Sequence, residues 1–113
     1  GRNSLVSGDA DFALVRSVAL LKPLVILPQY LRHTMNSVLL QDLIREKSRG
    51  GAQPCLYLSE IAKFPFPLPP LAEQRRIVAR VDALMALCDE LEQQLKDATD
   101  KQTAILKAVV AAM

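Results

Sequence analysis

Residues 64–78 read FPFPLPPLAEQRRIV, a proline-rich segment that runs directly into a long heptad pattern. Proline fixes φ and removes a backbone donor, so the four prolines exclude the segment from a helix interior and predict an edge strand or a polyproline-like stretch. Its apolar side chains are predicted to point to one side: Phe64, Phe66 and Leu68. Because proline is tolerated in a first helical turn and Glu73 complements the positive end of the dipole, a helix is predicted to begin at Pro70 or Leu71.

The chain after Leu71 repeats apolar residues at alternating steps of four and three over about five heptads, which is the a/d spacing of a coiled coil. The a and d positions are Ile77, Val81, Leu84, Cys88, Leu91, Leu95, Ala98, Gln102, Ile105, Val109 and Ala112. Neighbouring apolar residues widen this stripe beyond a minimal two-stranded seam, so it needs a surface to pack against. We predict a helix-packing interface formed by Ile77, Val81, Leu84, Cys88, Leu91, Leu95, Ile105 and Val109.

Two arrangements of this helical region fit the pattern. A single helix over Leu71–Met113 would be roughly 64 Å long at a rise of about 1.5 Å per residue, longer than the diameter of a globule that this chain could form. The absence of glycine and proline from the region favours this single helix. The alternative is a pair of shorter helices in a compact bundle, with a break near Ala98–Gln102, where the seam holds small or polar residues.

The first half of the chain is predicted to contain short strands. Residues 12–21, FALVRSVALL, hold two apolar runs for which a strand is favoured, although periodicity alone also allows a helix. LVIL at Leu24–Leu27 is a β-rich run or the apolar lead into the next element. Residues 52–58 are predicted to run as a loop into a short strand, followed by one helical turn with Ser59 as its N-cap.

A helix is predicted to begin at Pro28, because proline suits the first helical position. Its apolar face follows helical spacing, at Leu31, Met35, Val38, Leu39 and Leu43. Three basic residues gather near its C-terminal end, where the helix dipole alone accounts for them: Arg45, Lys47 and Arg49. Gly50–Gly51 is then predicted to supply the left-handed stop.

The chain has 113 residues, half of them hydrophobic, which leaves room for one modest domain with a core and for the long helix. The predicted fold class is α/β (α+β). We expect a small α/β unit in residues 1–70, followed by one long coiled-coil-forming helix in residues 71–113.

The sequence shows no constellation for catalysis, for a metal or for a cofactor. His33 is the single histidine, and Cys55 and Cys88 lie far apart without a CxxC pair, so no metal site of ordinary ligand count is predicted. No P-loop and no GxSxG elbow occur. We therefore predict a protein that is not an enzyme and needs no cofactor.

The two separated cysteines make a reduced, cytoplasmic protein the default prediction, and hydropathy predicts no membrane span. The most apolar region, residues 12–27, is interrupted by two basic residues and a proline, so it is too short and too charged to cross a bilayer. Nothing resembles a signal peptide. Residues 1–63 hold eight basic side chains against five acidic ones, and residues 64–113 hold six against seven. So small an imbalance permits nucleic-acid contact without arguing for it.

Three segments of the chain carry a resemblance to one protein family. They are PLPPLAEQRRIV at Pro67–Val78, GAQP at Gly51–Pro54 and PQYLRHTMNS at Pro28–Ser37. Together they resemble the DNA specificity (S) subunits of type I restriction-modification enzymes, at the end of a target recognition domain and the helix that follows it. The resemblance covers most of the chain from about Phe12 onward, and the PLPPLxEQxxIV string is far more specific than an isolated PxxP.

The resemblance implies a non-catalytic DNA-specificity protein. In that family each recognition domain reads half of a split target in double-stranded DNA. The family's conserved helices form an antiparallel spacer that sets the distance between the halves and docks the methyltransferase (M) subunits, and restriction (R) subunits complete the system. By this resemblance, residues 1–70 match part of a recognition domain and Leu71–Met113 matches the spacer. A full specificity subunit carries two recognition domains and two helices, so we expect this chain to be a fragment.

Base readout needs side chains that reach base edges as well as phosphates. The DNA-binding candidates lie around the Gly50–Gly51 turn: Lys47, Arg49 and Gln53. The alternative for these residues is an ordinary solvated loop. A second hypothesis for the whole chain is a coiled-coil dimerisation or interaction module without DNA binding. Because its apolar stripe is unpaired, the long helix is expected to self-associate, most simply as a homodimer.

Overall fold

The computed structural model describes residues 1–8, 11–15, 17–48, 50–52 and 54–113. Within these ranges the chain forms four α-helices: α1 Pro28–Met35, α2 Val38–Lys47, α3 Leu58–Ile61 and α4 Leu71–Ala112. The chain divides into two compact units, a first unit Gly1–Val78 and a second unit Ala79–Met113. The first two turns of α4 therefore belong to the first unit. The predicted division into domains 1–70 and 71–113 stays a prediction.

Helix α4 begins at Leu71, as the proline segment predicts. Residues 64–70 carry no helical structure. The carbonyl oxygen of Pro70 accepts the first hydrogen bonds of the helix, from the backbone nitrogens of Glu73 at 2.9 Å and Gln74 at 3.0 Å. Proline lacks the N–H that a helix interior needs but keeps its carbonyl, so this carbonyl starts the helix directly after the proline segment.

The same helix continues without interruption through Ala98–Gln102 to Ala112. The hydroxyl of Thr99 donates to the carbonyl of Leu95 at 2.9 Å, and the hydroxyl of Thr103 donates to the carbonyl of Thr99 at 3.0 Å. These bonds satisfy the polar side chains without diverting the helical backbone. The single long helix is therefore confirmed, and the alternative of two helices with a break here is wrong.

The α/β (α+β) fold class is wrong, because the described part of the chain is mostly helical and contains no strand. The described residues of 12–21 have no regular structure, residues 24–26 form a bend before the extended Leu27, and Cys55 makes an isolated bridge where a short strand was predicted. A strand is stable only when a partner strand and a packed face support it. Val15 and Leu24 are 77% and 96% exposed, so the described residues provide no packed face for these two side chains.

The helix predicted from Pro28 is in fact two helices, which meet at Asn36 and Ser37. Ser37 is the N-cap of α2, and its hydroxyl oxygen accepts from the backbone nitrogen of Leu40 at 3.4 Å. The side-chain amide of Gln41 donates to the carbonyl of Met35 at 2.8 Å. These two side chains satisfy backbone groups that a continuous helix would have paired internally, so the break costs little. Pro28 lies in the first turn of α1, as predicted.

Helix α2 ends at Lys47 and not at the glycine pair. Ser48 takes an extended conformation, and its backbone nitrogen still donates to the carbonyl of Ile44 at 2.9 Å. Gly50 has φ +113°, a conformation that suits glycine, but it lies beyond the end of the helix. One helical turn, α3, follows at Leu58–Ile61 as predicted, although its N-cap is Tyr57 and not Ser59.

The core of the first unit is small. Its buried apolar residues are Met35, Leu40, Ile44 and Phe64. Partly buried residues pack against them: Leu31, Leu43, Leu56, Ile61 and Phe66. Two aromatic residues of the proline segment therefore join the core that α1 and α2 supply. Leu68, predicted to point the same way, is 56% exposed and lies outside this core.

Adjacent leucines in α2 provide a matched test of this core. Leu40 is 1% exposed and Leu39 is 62% exposed. Leu40→Ala should lower the free energy of unfolding by about 2–5 kcal/mol, because it removes buried apolar atoms and leaves a cavity. Leu39→Ala, the control, should change it by less than about 0.5 kcal/mol. Urea denaturation followed by circular dichroism measures both, and equal losses would contradict the described packing.

Candidate nucleic-acid interface and helix-packing surface

Lys47 is the one DNA-binding candidate that lies within the described residues. It is the last residue of α2, and 42% of its side chain is exposed. Its Nζ lies 3.8 Å from Oε1 of Glu46. Arg45, in the last turn of the same helix, pairs with Asp42 at 2.8 Å. Each of these cations therefore has a carboxylate neighbour, an arrangement that ordinary solvated helix ends also show.

Arg49 and Gln53, the other two candidates, lie outside the described residues. Between them Gly50 takes its positive φ, and Gly51 has open space where a Cβ would lie. The assignment of Lys47, Arg49 and Gln53 to DNA contact therefore stays a prediction.

The side chains of the predicted helix-packing interface become more exposed along α4. Ile77 and Val81 are half-buried. The next six members are exposed: Leu84, Cys88, Leu91, Leu95, Ile105 and Val109. We call these six residues the apolar stripe. Leu91 is 51% and Leu95 69% exposed, and an exposed apolar stripe of this kind is typical of a surface that packs against a partner.

Gln74 is a residue that the sequence analysis quoted within its motif but to which it assigned no role. It lies in the first turn of α4 and is 1% exposed, which makes it the single buried polar side chain in the described part of the chain. Its Oε1 accepts from the backbone nitrogen of Leu27 at 2.8 Å, and its Nε2 donates to the carbonyl of Pro69 at 2.9 Å. The sequence signal for this role was the position of Gln74, a polar residue three positions before Ile77 at the start of the a/d seam.

A second polar contact lies close to these bonds. Tyr30 of α1 is buried, and its hydroxyl donates to the carbonyl of Pro67 at 2.9 Å. The proline segment thus receives one side-chain hydrogen bond from α1 and one from α4. Buried polar groups are retained where they have such partners, and no buried side-chain nitrogen or oxygen among the described residues lacks one.

The described residues hold no group of three or more histidine, cysteine or acidic side chains that could bind a metal ion. None of the helices within the described ranges has the length and apolar character that a bilayer crossing needs. The candidate site therefore consists of a partly exposed lysine at a helix end and the exposed apolar stripe.

Comparison with known proteins assigns the chain to a family. The model of the type I restriction modification DNA specificity domain matches residues 15–99. The chain is 29% identical over 113 residues to the type I restriction enzyme EcoBI specificity subunit of Escherichia coli, a match that covers 98% of this chain and 24% of that subunit. It is 30% identical over 82 residues to the StySPI specificity subunit of Salmonella potsdam, covering 73% of this chain and 15% of that subunit.

A third relative matches a shorter part of the chain. The EcoAI specificity subunit of Escherichia coli is 44% identical over 46 residues, which is 41% of this chain and 8% of that subunit. No solved structure matches the chain. The chain thus spans a quarter or less of the length of these relatives. Because the family model matches most of its residues, including α1, α2 and α3, the chain belongs to the type I restriction modification DNA specificity domain family.

Proposed function

We propose that this chain is a DNA sequence-specificity component of a type I restriction-modification system. It performs no chemistry itself and positions methyltransferase (M) and restriction (R) subunits on double-stranded DNA. The observation that carries the proposal is the family match over residues 15–99. The relatives with the longest matches are specificity subunits of type I restriction enzymes. A cytoplasmic location accords with this role.

The first unit is the part proposed to read DNA. Lys47 supports this role because its contact with Glu46 is long and exposed, and such surface pairs contribute little free energy. A phosphate group can therefore replace the carboxylate at small cost. The neighbouring glycines leave the backbone of the turn open to close approach, since no atom lies within 4 Å of a Cβ placed at Gly51.

Helix α4 is the part proposed to act as the spacer. Its apolar stripe is exposed in the chain alone, and burying three leucines of the stripe contributes roughly 2 kcal/mol each, which favours self-association into a homodimer. The family resemblance favours antiparallel packing of the two copies. A coiled-coil module without DNA binding is the less favoured function, because the family match includes α1, α2 and α3 as well as α4.

Removing two candidate phosphate contacts tests the DNA-binding role. The double variant Lys47→Ala with Arg49→Ala should weaken binding of duplex DNA by a complex of this chain with methyltransferase subunits. If both side chains contact phosphate, the slope of log affinity against log salt concentration should fall in magnitude by about 2. Fluorescence anisotropy over a series of salt concentrations measures the affinity and the slope.

The control removes the same two charges elsewhere. Lys22 and Arg32 are both exposed, so Lys22→Ala with Arg32→Ala changes the net charge equally without touching the Gly50–Gly51 turn. The control should keep most of the salt slope. Unaltered affinity and slope in the Lys47 and Arg49 variant would assign these residues to a solvated loop.

The apolar stripe leads to a prediction about assembly. Light scattering at micromolar concentration should show a dimer, and Leu91→Glu should dissociate it because it places a charge in the buried seam. Ala83→Glu, the control, adds a charge at an exposed position of the same helix outside the apolar stripe and should leave the dimer intact. A wild-type monomer at this concentration would contradict the proposal.

The orientation of the two copies is tested with the cysteine in the stripe. In an antiparallel dimer centred near Leu91, Cys88 faces the neighbourhood of Leu95 on the partner copy. Oxidation should therefore give little cross-linked dimer through Cys88. In a parallel dimer the two Cys88 side chains would meet in one layer. Efficient cross-linking that Cys88→Ser abolishes and Cys55→Ser does not would show the parallel arrangement.

A further inference from the structure

The buried amide of Gln74 joins three parts of the first unit. Its oxygen receives the N–H of Leu27, the residue that precedes α1, and its nitrogen reaches the carbonyl of Pro69 at the end of the proline segment. The side chain itself belongs to the first turn of α4. A single amide group thus ties the start of α4 to two segments that come before it in the chain.

The carbonyl of Pro69 depends on this side chain. The next carbonyl, that of Pro70, starts the hydrogen bonds of the helix by accepting from Glu73 and Gln74. Pro69 lies one residue before Pro70 and is outside that series of backbone bonds. Its carbonyl instead accepts a hydrogen bond from the side-chain amide of Gln74 at 2.9 Å. Leaving this partly buried carbonyl without a partner would cost free energy, and the side chain at position 74 supplies the partner.

The amide of Gln74 matches both of its partners. The site needs an acceptor facing the Leu27 N–H and a donor facing the Pro69 carbonyl, and the amide of glutamine supplies one of each. Glutamate at neutral pH offers two acceptors and no donor. Methionine has a similar size but supplies no strong donor or acceptor, and asparagine is one methylene shorter.

We infer that Gln74 is a positioning residue that holds the first turn of α4 in a single register on the first unit, through its paired bonds to Leu27 and Pro69. A slip of the helix start would leave both backbone groups without partners. Tyr30 stabilises the same region by donating a hydrogen bond to the carbonyl of Pro67. We call this set of contacts between the first turn of α4, Leu27, Tyr30 and the proline segment the joint. The joint serves spacer positioning only if the proposed function holds, but the joint itself can be tested on the chain alone.

Gln74→Glu provides the sharpest test because its effect depends on pH. Burial and the facing carbonyl of Pro69 raise the pKa of the introduced carboxyl above its unfolded value of about 4.3. Above that raised pKa the carboxylate cannot donate to Pro69, and the joint should open. As the pH falls through the raised pKa, the protonated acid donates again, so the variant should regain stability relative to wild type towards about pH 4.5.

Amide hydrogen exchange on the whole 113-residue chain measures this opening. At about pH 7, the amides of Leu27 and Glu73 should exchange at least about tenfold faster in Gln74→Glu than in wild type, after correction for intrinsic rates. Near pH 4.5 the ratio should return towards one. Gln74→Met should show the faster exchange at both pH values, because it has no group to protonate.

The matched control is Gln94→Glu, which adds the same charge at an exposed position of α4. It should leave exchange at Leu27 and Glu73 unchanged at both pH values. Faster exchange without recovery at low pH in Gln74→Glu would overturn the paired-bond role, and so would wild-type exchange in Gln74→Met.

Binding of duplex DNA by the complex with methyltransferase subunits separates this inference from the proposed function. Gln74→Met should weaken binding several-fold and leave the salt slope unchanged, because no phosphate contact is removed. Unchanged affinity would overturn the positioning role in DNA reading. If the wild-type complex fails to bind duplex DNA, the proposed function fails, while the exchange measurement still decides whether the joint exists.

Discussion

The side-chain amide of Gln74 connects backbone groups that lie far apart in the sequence, since its bond to Leu27 spans 47 residues. The first unit has a core of four buried apolar residues, and so small a core supplies limited free energy to hold segments together. Directional hydrogen bonds compensate by specifying one arrangement. With Tyr30 bound to Pro67, the proline segment is held by polar bonds at two points and by Phe64 and Phe66 through packing. The start of α4 depends on all of these contacts.

The features that local chemistry decides were predictable from the sequence. The start of α4 at Leu71 follows from the conformational restriction of the prolines, and its continuity to Ala112 follows from a heptad pattern without glycine or proline. The strands were not predictable in this way, because a β-prone run becomes a strand only when a partner is available. The break at Ser37 was also missed. There a side-chain cap competes with helical periodicity, and the capping hydrogen bonds decided the outcome.

The residues of the candidate site also differ in whether their roles could be predicted from the sequence. The apolar stripe follows directly from spacing, because the a/d pattern of α4 holds whether or not a partner is present. The role of Gln74 could not be derived from spacing, since it depends on which carbonyl and which N–H the fold brings to its side chain. Its position within the PLPPLAEQ string marked it, but only the contact with Leu27 explains why an amide is needed. For Lys47, the position at a helix end was predictable from the sequence, and its contact with DNA stays a prediction.

The two parts of α4 use different kinds of interaction for different tasks. At its first turn, paired hydrogen bonds fix the helix in one register, because a shift would leave a partly buried donor and a partly buried acceptor without partners. Along the apolar stripe, packing is less directional and depends on the area that a partner covers. The spacer role proposed for α4 needs both properties, a fixed start on the first unit and a long surface that another helix can cover. The sequence meets the first need with one glutamine and the second with a repeated apolar pattern.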